Sequence, residues 1–410
     1  MKEYQLIIIG GGSAGIAAAL GAYENGLTRI LVIERDKEYG GILQQCIHNG
    51  FGLHTFKEEL SGPAYAEKYY SLIKDNECIE FLYDAVVTQI KEMTVTVQSE
   101  KGLLHYRGEA IVLATGCRER PAGAIGLRGD RCEGVYTAGT AQKYLNRQGY
   151  LVGKNVFILG SGDIGLIMAR RMTLEGAEVK VVCELMPYSG GLARNIEQCL
   201  NDYHIPLHLS HTVVDIRGRE RLTSVVVARC DEHFRPILGT EEEIPCDTLI
   251  LSVGLIPENE LSLAAGVELD ARTRGAYVDE HCQTRVPGIF AAGNVLHVHD
   301  LVDFVSLEAE ALADSAAEYL LTGSLPACPL EVKAGANVGH VIPQRISGTR
   351  DFTLSLRVRQ PLRDVSVVVR QDGREVLRRR MRKALPAEMI QLPVRAAVLA
   401  GDADMEVCVE

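Results

Sequence analysis

The chain has 410 residues, 47% of them hydrophobic, with 40 glycines and no tryptophan, which fits an α/β protein of two or three domains with many tight turns. A formal net charge of −11 argues against nucleic acid as the default partner. No apolar run reaches spanning length. The start, 6-LIIIGGGSAGIAAAL-20, is broken by glycines and preceded by Glu3, so neither a transmembrane segment nor a signal peptide is expected.

In chain order, the first element is a short β-branched run, 5-QLIII-9. It leads into Gly10-x-Gly12-x-x-Gly15 and an alanine-rich helix, and a second strand, 30-ILVIE-34, follows, ending in Glu34. The motif needs this strand–turn–helix context. The first glycine permits the tight turn, the second lets a pyrophosphate approach the backbone, and the third lets helix and strand pack closely. The helix start offers free N–H groups to phosphate, and an acid at the end of the second strand can accept ribose hydroxyls. The pattern recurs at 155-NVFILGSGDIGLIMARRMTLEG-176 and 178-EVKVVCE-184. Gly160, Gly162, Gly165 and Glu184 repeat the spacing, twenty-four residues separating first glycine and acid in each copy. Each half closes with an apolar strand ending in small residues, 109-EAIVLATG-116 and 247-DTLILSVG-254. Two such units predict two dinucleotides; a second copy without a ligand is the alternative.

One further segment, 284-TRVPGIFAAGNV-295, completes a pattern. With it, residues 1–325 resemble the two-dinucleotide-domain flavoproteins, the pyridine-nucleotide-dependent FAD oxidoreductases that include thioredoxin reductase. The resemblance implies an α/β fold of two Rossmann-like domains, with the NAD domain inserted into the FAD domain. The expected boundaries are 1–120 and 257–328 for FAD, 121–256 for NAD(H), and 329–410 for a small C-terminal antiparallel β-domain. It implies FAD at Gly10, Gly12, Ser13, Ala14, Gly15, Glu34, Arg35, Gly40, Gly41, Ile42, Ala114, Thr115, Gly116, Gly293 and Asn294. NADH is implied at Gly160, Gly162, Asp163, Ile164, Gly165, Glu184 and Gly254. Asn294 departs from the family's usual aspartate but can still accept a bond from a ribityl hydroxyl. The helical run 303-DFVSLEAEALADSAAEYLL-321 should direct its N-terminus at the flavin, where its dipole favours negative charge. The opening segment and 291-AAGNVLHVHDLVDFVS-306 resemble more narrowly the flavoproteins that accompany FAD-dependent glycerol-3-phosphate dehydrogenases. More distantly they resemble subunits of opine oxidase, hydrogen cyanide synthase and dye-linked proline dehydrogenase. That implies electron transfer beside a companion dehydrogenase or a small cysteine-rich redox protein.

Cys46, in 39-YGGILQQCIHNGFG-52, is the one candidate for a catalytic side chain beside the flavin. Disulfide reductases of the glutathione-reductase type carry CxxxxC here; this chain has a single cysteine with no lysine after it. That type also has a glutamate just after its second glycine motif, where this chain has Leu166, Ile167 and Met168. The thioredoxin-reductase type places CxxC in the NAD domain, where Cys183 and Cys199 lie sixteen apart. A dithiol relay is therefore not expected. Three roles stay open for Cys46: packing near the flavin, single-thiol redox chemistry as in NADH peroxidases with His48 lowering its pKa, or a place away from the flavin. The eleven cysteines contain no CxxC and no metal-ligand spacing, so no metal is expected, and scattered thiols fit a reducing cytoplasm.

After residue 328 the pattern changes. Apolar residues alternate at 352, 354, 356 and 358, and further short strands read at 365–370, 390–394 and 405–409 around the turn Asp372-Gly373. Residues 340–410 hold 13 Lys+Arg against 9 Asp+Glu, a net +4. Arg378, Arg379, Arg380, Arg382 and Lys383 form the densest cluster, either a solvated strand face or a docking surface for an acidic partner. The reading as a whole is an FAD-dependent NAD(P)H oxidoreductase. The alternatives are a Cys46-based peroxidase and a non-catalytic, FAD-containing member of an assembly; an oligomer is possible.

Overall fold

The computed structural model describes residues 1–399 and 401–410. They form two compact units, one made of Met1–Cys117 with Pro257–Glu410, the other of Arg118–Ile256.

The first unit is organised by the strand Lys2–Ile9. Leu6, Ile7 and Ile8 are fully buried, as in a central parallel strand covered on both faces. It pairs in parallel with Ile30–Ile33 on one side and Gly102–Leu113 on the other. Ile79–Leu82 extends the sheet beyond Ile30–Ile33, and Ile289–Ala291 pairs in parallel beside residues 111–113. The long strand Gly102–Leu113 changes partners along its length, its first half pairing antiparallel with Thr94–Ser99. Helix Ser13–Glu24 buries nine consecutive residues, Ala14 to Ala22. Such a helix is apolar all round and must be covered on all sides. Its alanines and glycines let helix Val302–Thr322 come close: a Cβ on Gly21 would stand 2.9 Å from that of Ala313.

The tail folds against the same unit as two small sheets. One runs in the order Arg345–Ile346, Leu330–Ala334, Met405–Val409, Leu362–Gln371, Arg374–Ala384; the other joins Val338–Ile342, Phe352–Val358 and Ile390–Val394. Phe352, Leu354, Leu356 and Val358 are buried as their alternation predicts, and they line the core between the sheets. The domain is antiparallel as expected, with the exception of one strand pairing. Met405–Val409 inserts between Leu362–Gln371, to which it runs antiparallel, and Leu330–Ala334, to which it runs parallel. The last strand completes a sheet whose neighbours' directions are already set, so one of its two pairings is parallel.

The second unit has five parallel strands in the order Val135–Thr137, Thr248–Leu251, Asn155–Leu159, Glu178–Glu184, Leu207–Leu209. Helices Ala138–Gln148 and Asp163–Leu174 cover one face, and an antiparallel group, His211–Gly218, Leu222–Arg229 and Glu242–Pro245, covers the other. In both units the glycine-rich turn leaves the carboxyl end of a central strand, where open α/β sheets bind ligands. Among the described residues no helix is long and apolar enough to cross a membrane.

Candidate functional site: two dinucleotide cradles

In the first unit each motif glycine has its own reason. Gly10 has φ +108°, and a Cβ there would lie 2.3 Å from the Ala114 carbonyl oxygen. On Gly15 it would lie 1.8 Å from the Gly10 oxygen. Gly12 differs: its backbone is extended at φ −76°, and nothing stands within 4 Å of its would-be Cβ. The open space over Gly12 is the place a pyrophosphate would take, at the start of helix Ser13–Glu24. Ser13 and Ala14 begin that helix. Gly40 and Gly41 lie across the turn, with Gly40 N donating to the Gly11 oxygen at 2.7 Å. Gly293, with φ +77°, fits against Ala14, whose Cβ would meet its own at 2.9 Å. Ala114, Thr115 and Gly116 close the cradle; the Thr115 hydroxyl and the Gly116 oxygen are bonded to the backbone of Glu258 at 2.9 and 3.0 Å. Arg35 and Ile42 are exposed beside it.

The second unit repeats this construction. A Cβ on Gly160, φ +100°, would lie 2.0 Å from the Ser252 oxygen, and one on Gly165 would lie 2.6 Å from the Gly160 oxygen. Gly162 again faces open space, its nearest neighbour being Ser252 Oγ at 3.6 Å. Gly254, φ +102°, ends the closing segment. Ile164 and Asp163 lie in the first turn of the helix. The Asp163 carboxylate, however, accepts from Leu192 N at 2.8 Å and Asn195 Nδ2 at 2.6 Å. Its side chain ties down the segment after Gly190 rather than capping the backbone N–H groups of its own helix start.

The two acids are buried in corresponding places. Glu34 Oε2 accepts from Gly11 N at 2.6 Å and Oε1 from Asp36 N at 2.9 Å. Glu184 Oε2 accepts from Ser161 N at 2.9 Å and Ser161 Oγ at 2.6 Å, and Oε1 from Met186 N at 3.0 Å. A carboxylate offers about four acceptor sites, so each acid keeps capacity for a ribose after anchoring its own turn. Both cradles fit a dinucleotide: open space above the middle glycine, a helix start, and a held carboxylate.

Cys46 follows the short 3-10 turn Gly41–Gln45. It is half-buried, and its Sγ donates to the Ile42 oxygen at 3.3 Å. Burial pushes the thiol up to about 12, which keeps it protonated at neutral pH. His48 Nδ1 lies 3.1 Å from the Asn49 oxygen, and its ring packs 4.9 Å from that of Phe51. Cys183 is buried and likewise pushed up to about 12.

Several residues around the first cradle were not singled out by the sequence patterns. Asp303, in the first turn of helix Val302–Thr322, accepts from Gly52 N at 3.0 Å, His54 N at 3.1 Å and Thr55 N at 2.8 Å. A carboxylate thus already complements that helix dipole and holds the loop downstream of Cys46. Asn294 Oδ1, the expected acceptor for a ribityl hydroxyl, receives His299 N at 3.0 Å and faces His299 Nδ1 at 3.3 Å. The Asn294 amide nitrogen lies 3.7 Å from Cys117 Sγ.

Comparison with known proteins agrees with this construction. One of the subunits of opine oxidase from Agrobacterium tumefaciens is 27% identical over 312 residues, covering 71% of this chain and 61% of that protein. Hydrogen cyanide synthase subunit HcnB of Pseudomonas aeruginosa is 26% identical over 319 residues, covering 70% and 66%. The chain therefore spans three-fifths to two-thirds of the length of these relatives. The crystal structure of thioredoxin reductase from T. acidophilum shares the fold with a TM-score of 0.62 at 22% identity, over 79% of this chain and 99% of that one. The model of the pyridine nucleotide-disulphide oxidoreductase family, whose members include FAD- and NAD(P)H-dependent enzymes such as thioredoxin reductase, matches residues 4–313, and the chain belongs to that family.

Proposed function

We propose that this chain is an NADH-oxidising flavoprotein that hands electrons to a separate redox protein. The carrying observation is the duplicated cradle, with a glycine open to solvent space and a buried carboxylate in each unit. FAD, when bound, would accept a hydride from NADH and release the electrons onward; this chemistry belongs to the cofactors. The protein's part is to hold two dinucleotides. Glycine backbones and helix starts take the phosphates, and Glu34 and Glu184 take the riboses. No side-chain acid or base is required for hydride transfer, so no catalytic triad is assigned.

Several features support transfer to a partner rather than to a thiol of this chain. The sequence has no CxxC, and the Cys46 thiol is pushed up to about 12 by burial, which disfavours a thiolate. The relatives named as subunits of opine oxidase and hydrogen cyanide synthase favour a multi-component assembly. The partner would be a companion dehydrogenase, with glycerol 3-phosphate a candidate upstream substrate, or a small cysteine-rich redox protein. Its landing place would be Arg374–Ala384, the edge strand of its sheet. Arg378 there is paired with Glu375 and Glu410, whereas Arg380, Arg382 and Lys383 are exposed. Cationic side chains also keep an edge strand from pairing with other sheets.

Anaerobic mixing with NADH tests the proposal. Bleaching of the flavin spectrum supports the enzyme; an unchanged spectrum with FAD bound supports a purely structural role in an assembly instead. The isolated chain should reduce artificial dyes with NADH and should not oxidise glycerol 3-phosphate. Direct oxidation of that substrate by the chain alone would overturn the assignment of a companion.

A further inference from the structure

Three side chains that no cofactor assignment uses converge inside the first unit. His297 and His299 follow the short turn Gly293–Val295, and Glu308 stands in the second turn of helix Val302–Thr322. His297 Nε2 lies 2.8 Å and His299 Nε2 3.4 Å from the same Glu308 oxygen, Oε2. One donor atom from each lies within 4.8 Å of the others, and the three side chains are only 1, 3 and 14% exposed.

The surrounding bonds aim these donors at one point. Gly293 N donates to Glu308 Oε1 at 2.7 Å, which turns Oε2 toward the imidazoles. Asn294 Oδ1 lies 3.3 Å from His299 Nδ1, so that nitrogen carries the proton. In the neutral ring, His299 Nε2 then presents a lone pair to a carboxylate oxygen. Two electron-rich atoms facing each other in a buried place need positive charge between them. His297 fits the same demand. Its Nδ1 and the Nε2 of His340 are both buried without a hydrogen-bond partner among the described residues, on rings 6.0 Å apart. A cation on His297 Nε2 moves that ring's proton to Nδ1, which turns this buried nitrogen from an acceptor into a donor.

We infer that His297, His299 and Glu308 form a binding site for one divalent transition-metal ion of the zinc class, tied to the first cradle through Gly293 and Asn294. Two imidazoles and a carboxylate suit such an ion. At bond lengths of about 2.0–2.1 Å, neighbouring ligand atoms lie about 2.8–3.4 Å apart in octahedral or tetrahedral arrangement, matching the two contacts to Glu308. The spacing His297-x-His299 is too short a signature to reveal the site in sequence, because the third ligand arrives on a different element. The other group of potential ligands, Glu280, His281 and Cys328, lacks the needed lone pair. There Arg350 donates to His281 Nδ1 at 2.9 Å, which puts the ring proton on Nε2.

The test is metal analysis of the full chain purified without a polyhistidine tag. After chelator treatment, the protein is titrated with Zn²⁺ in competition with a chromophoric chelator. One equivalent should bind. His299→Asn and Glu308→Gln should each weaken that binding at least about 100-fold. An anomalous-scattering map at the zinc edge, collected on wild-type crystals grown with Zn²⁺, decides independently if a variant fails to fold. A peak between the three side chains supports the site. A peak elsewhere only, or Zn²⁺ binding no tighter in wild type than in His299→Asn, overturns it and leaves a hydrogen-bonded cluster.

Discussion

Substituting alanine at Gly12 and at Gly10 should separate binding from folding. At Gly12 the backbone is extended and the new methyl meets nothing within 4 Å, so the fold should accept it with a change in stability within about 0.5 kcal/mol. That same methyl would fill the space a pyrophosphate must enter. At Gly10 the methyl meets the Ala114 oxygen at 2.3 Å and its carbon at 2.8 Å, on a backbone at φ +108°. Left-handed strain alone costs about 1–3 kcal/mol, and the clash adds more because Gly10 and Ala114 are backbone extensions of two paired strands. Thermal unfolding of the FAD-free proteins measures the fold, and absorbance of the purified proteins measures bound FAD. The expected result is a Gly12→Ala protein that unfolds near the wild-type temperature yet purifies colourless. The Gly10→Ala protein should unfold several degrees lower. A yellow Gly12→Ala protein with wild-type affinity for FAD would refute the assignment of this space to the pyrophosphate.

Other outcomes follow from the same geometry. Gly162→Ala should retain FAD but lose flavin reduction by NADH, since its methyl enters the second cradle only; loss of FAD instead would show the two sites exchanged. Stopped-flow reduction should favour NADH over NADPH, because the buried Glu184 carboxylate repels a 2′-phosphate and Leu185, Met186 and Pro187 supply no cation; Glu184→Ala should narrow the difference. Cys46→Ser should be reduced by NADH at a rate comparable to wild type. Alkylation of Cys46 should stay slow near pH 8 and accelerate only as pH rises toward about 12, the direction required by a raised thiol pKa; rapid alkylation at neutral pH would sink that assignment.

The cradles were legible in sequence because their constraints are local and exclusive. Only glycine fits where Cβ would strike a backbone oxygen at about 2 Å, as at Gly10, Gly15 and Gly160, so the residue type itself reports the contact. The acid twenty-four residues on is read for the same reason: the strand end places it beside the turn. Asp303 is different. Its partners lie some 250 residues earlier in the chain, and within its helix it looks like any polar residue in a packed pattern. Glu308 has partners only fifteen and eleven residues earlier, at Gly293 and His297, but the helical pattern around it hides them, and the burial that raises the Cys46 thiol exists only once the loop has folded. In the tail, alternation announces strands but not their neighbours, so the parallel pairing of Leu330–Ala334 with Met405–Val409 could not be read.

The two cradles are alike in glycines but not in how their acids are spent, and the difference matches a resident cofactor and an exchanging one. Each Glu34 oxygen accepts one backbone N–H from its own turn, which leaves an acceptor site on each for a ribose diol. On Glu184, Oε2 accepts both the N–H and the hydroxyl of Ser161, so it is full, and only Oε1 has a site left. Position 161 carries a hydroxyl where position 11 has glycine, so the second acid should hold its ribose by one bond fewer. Ser161→Ala removes that competitor. It also unties Gly190 N, which donates to Ser161 Oγ at 3.0 Å, but Gly190 is exposed and water can replace that bond. A recovered charge-assisted bond is worth about 1.5 kcal/mol, so NADH should bind up to about tenfold more tightly, with FAD content unchanged. Titration of the oxidised protein with NAD⁺, which avoids turnover, should move in the same direction. If instead both nucleotides bind more weakly, the Ser161 hydroxyl itself contacts the nucleotide, and Glu184 is a support for the turn rather than the anchor of the ribose.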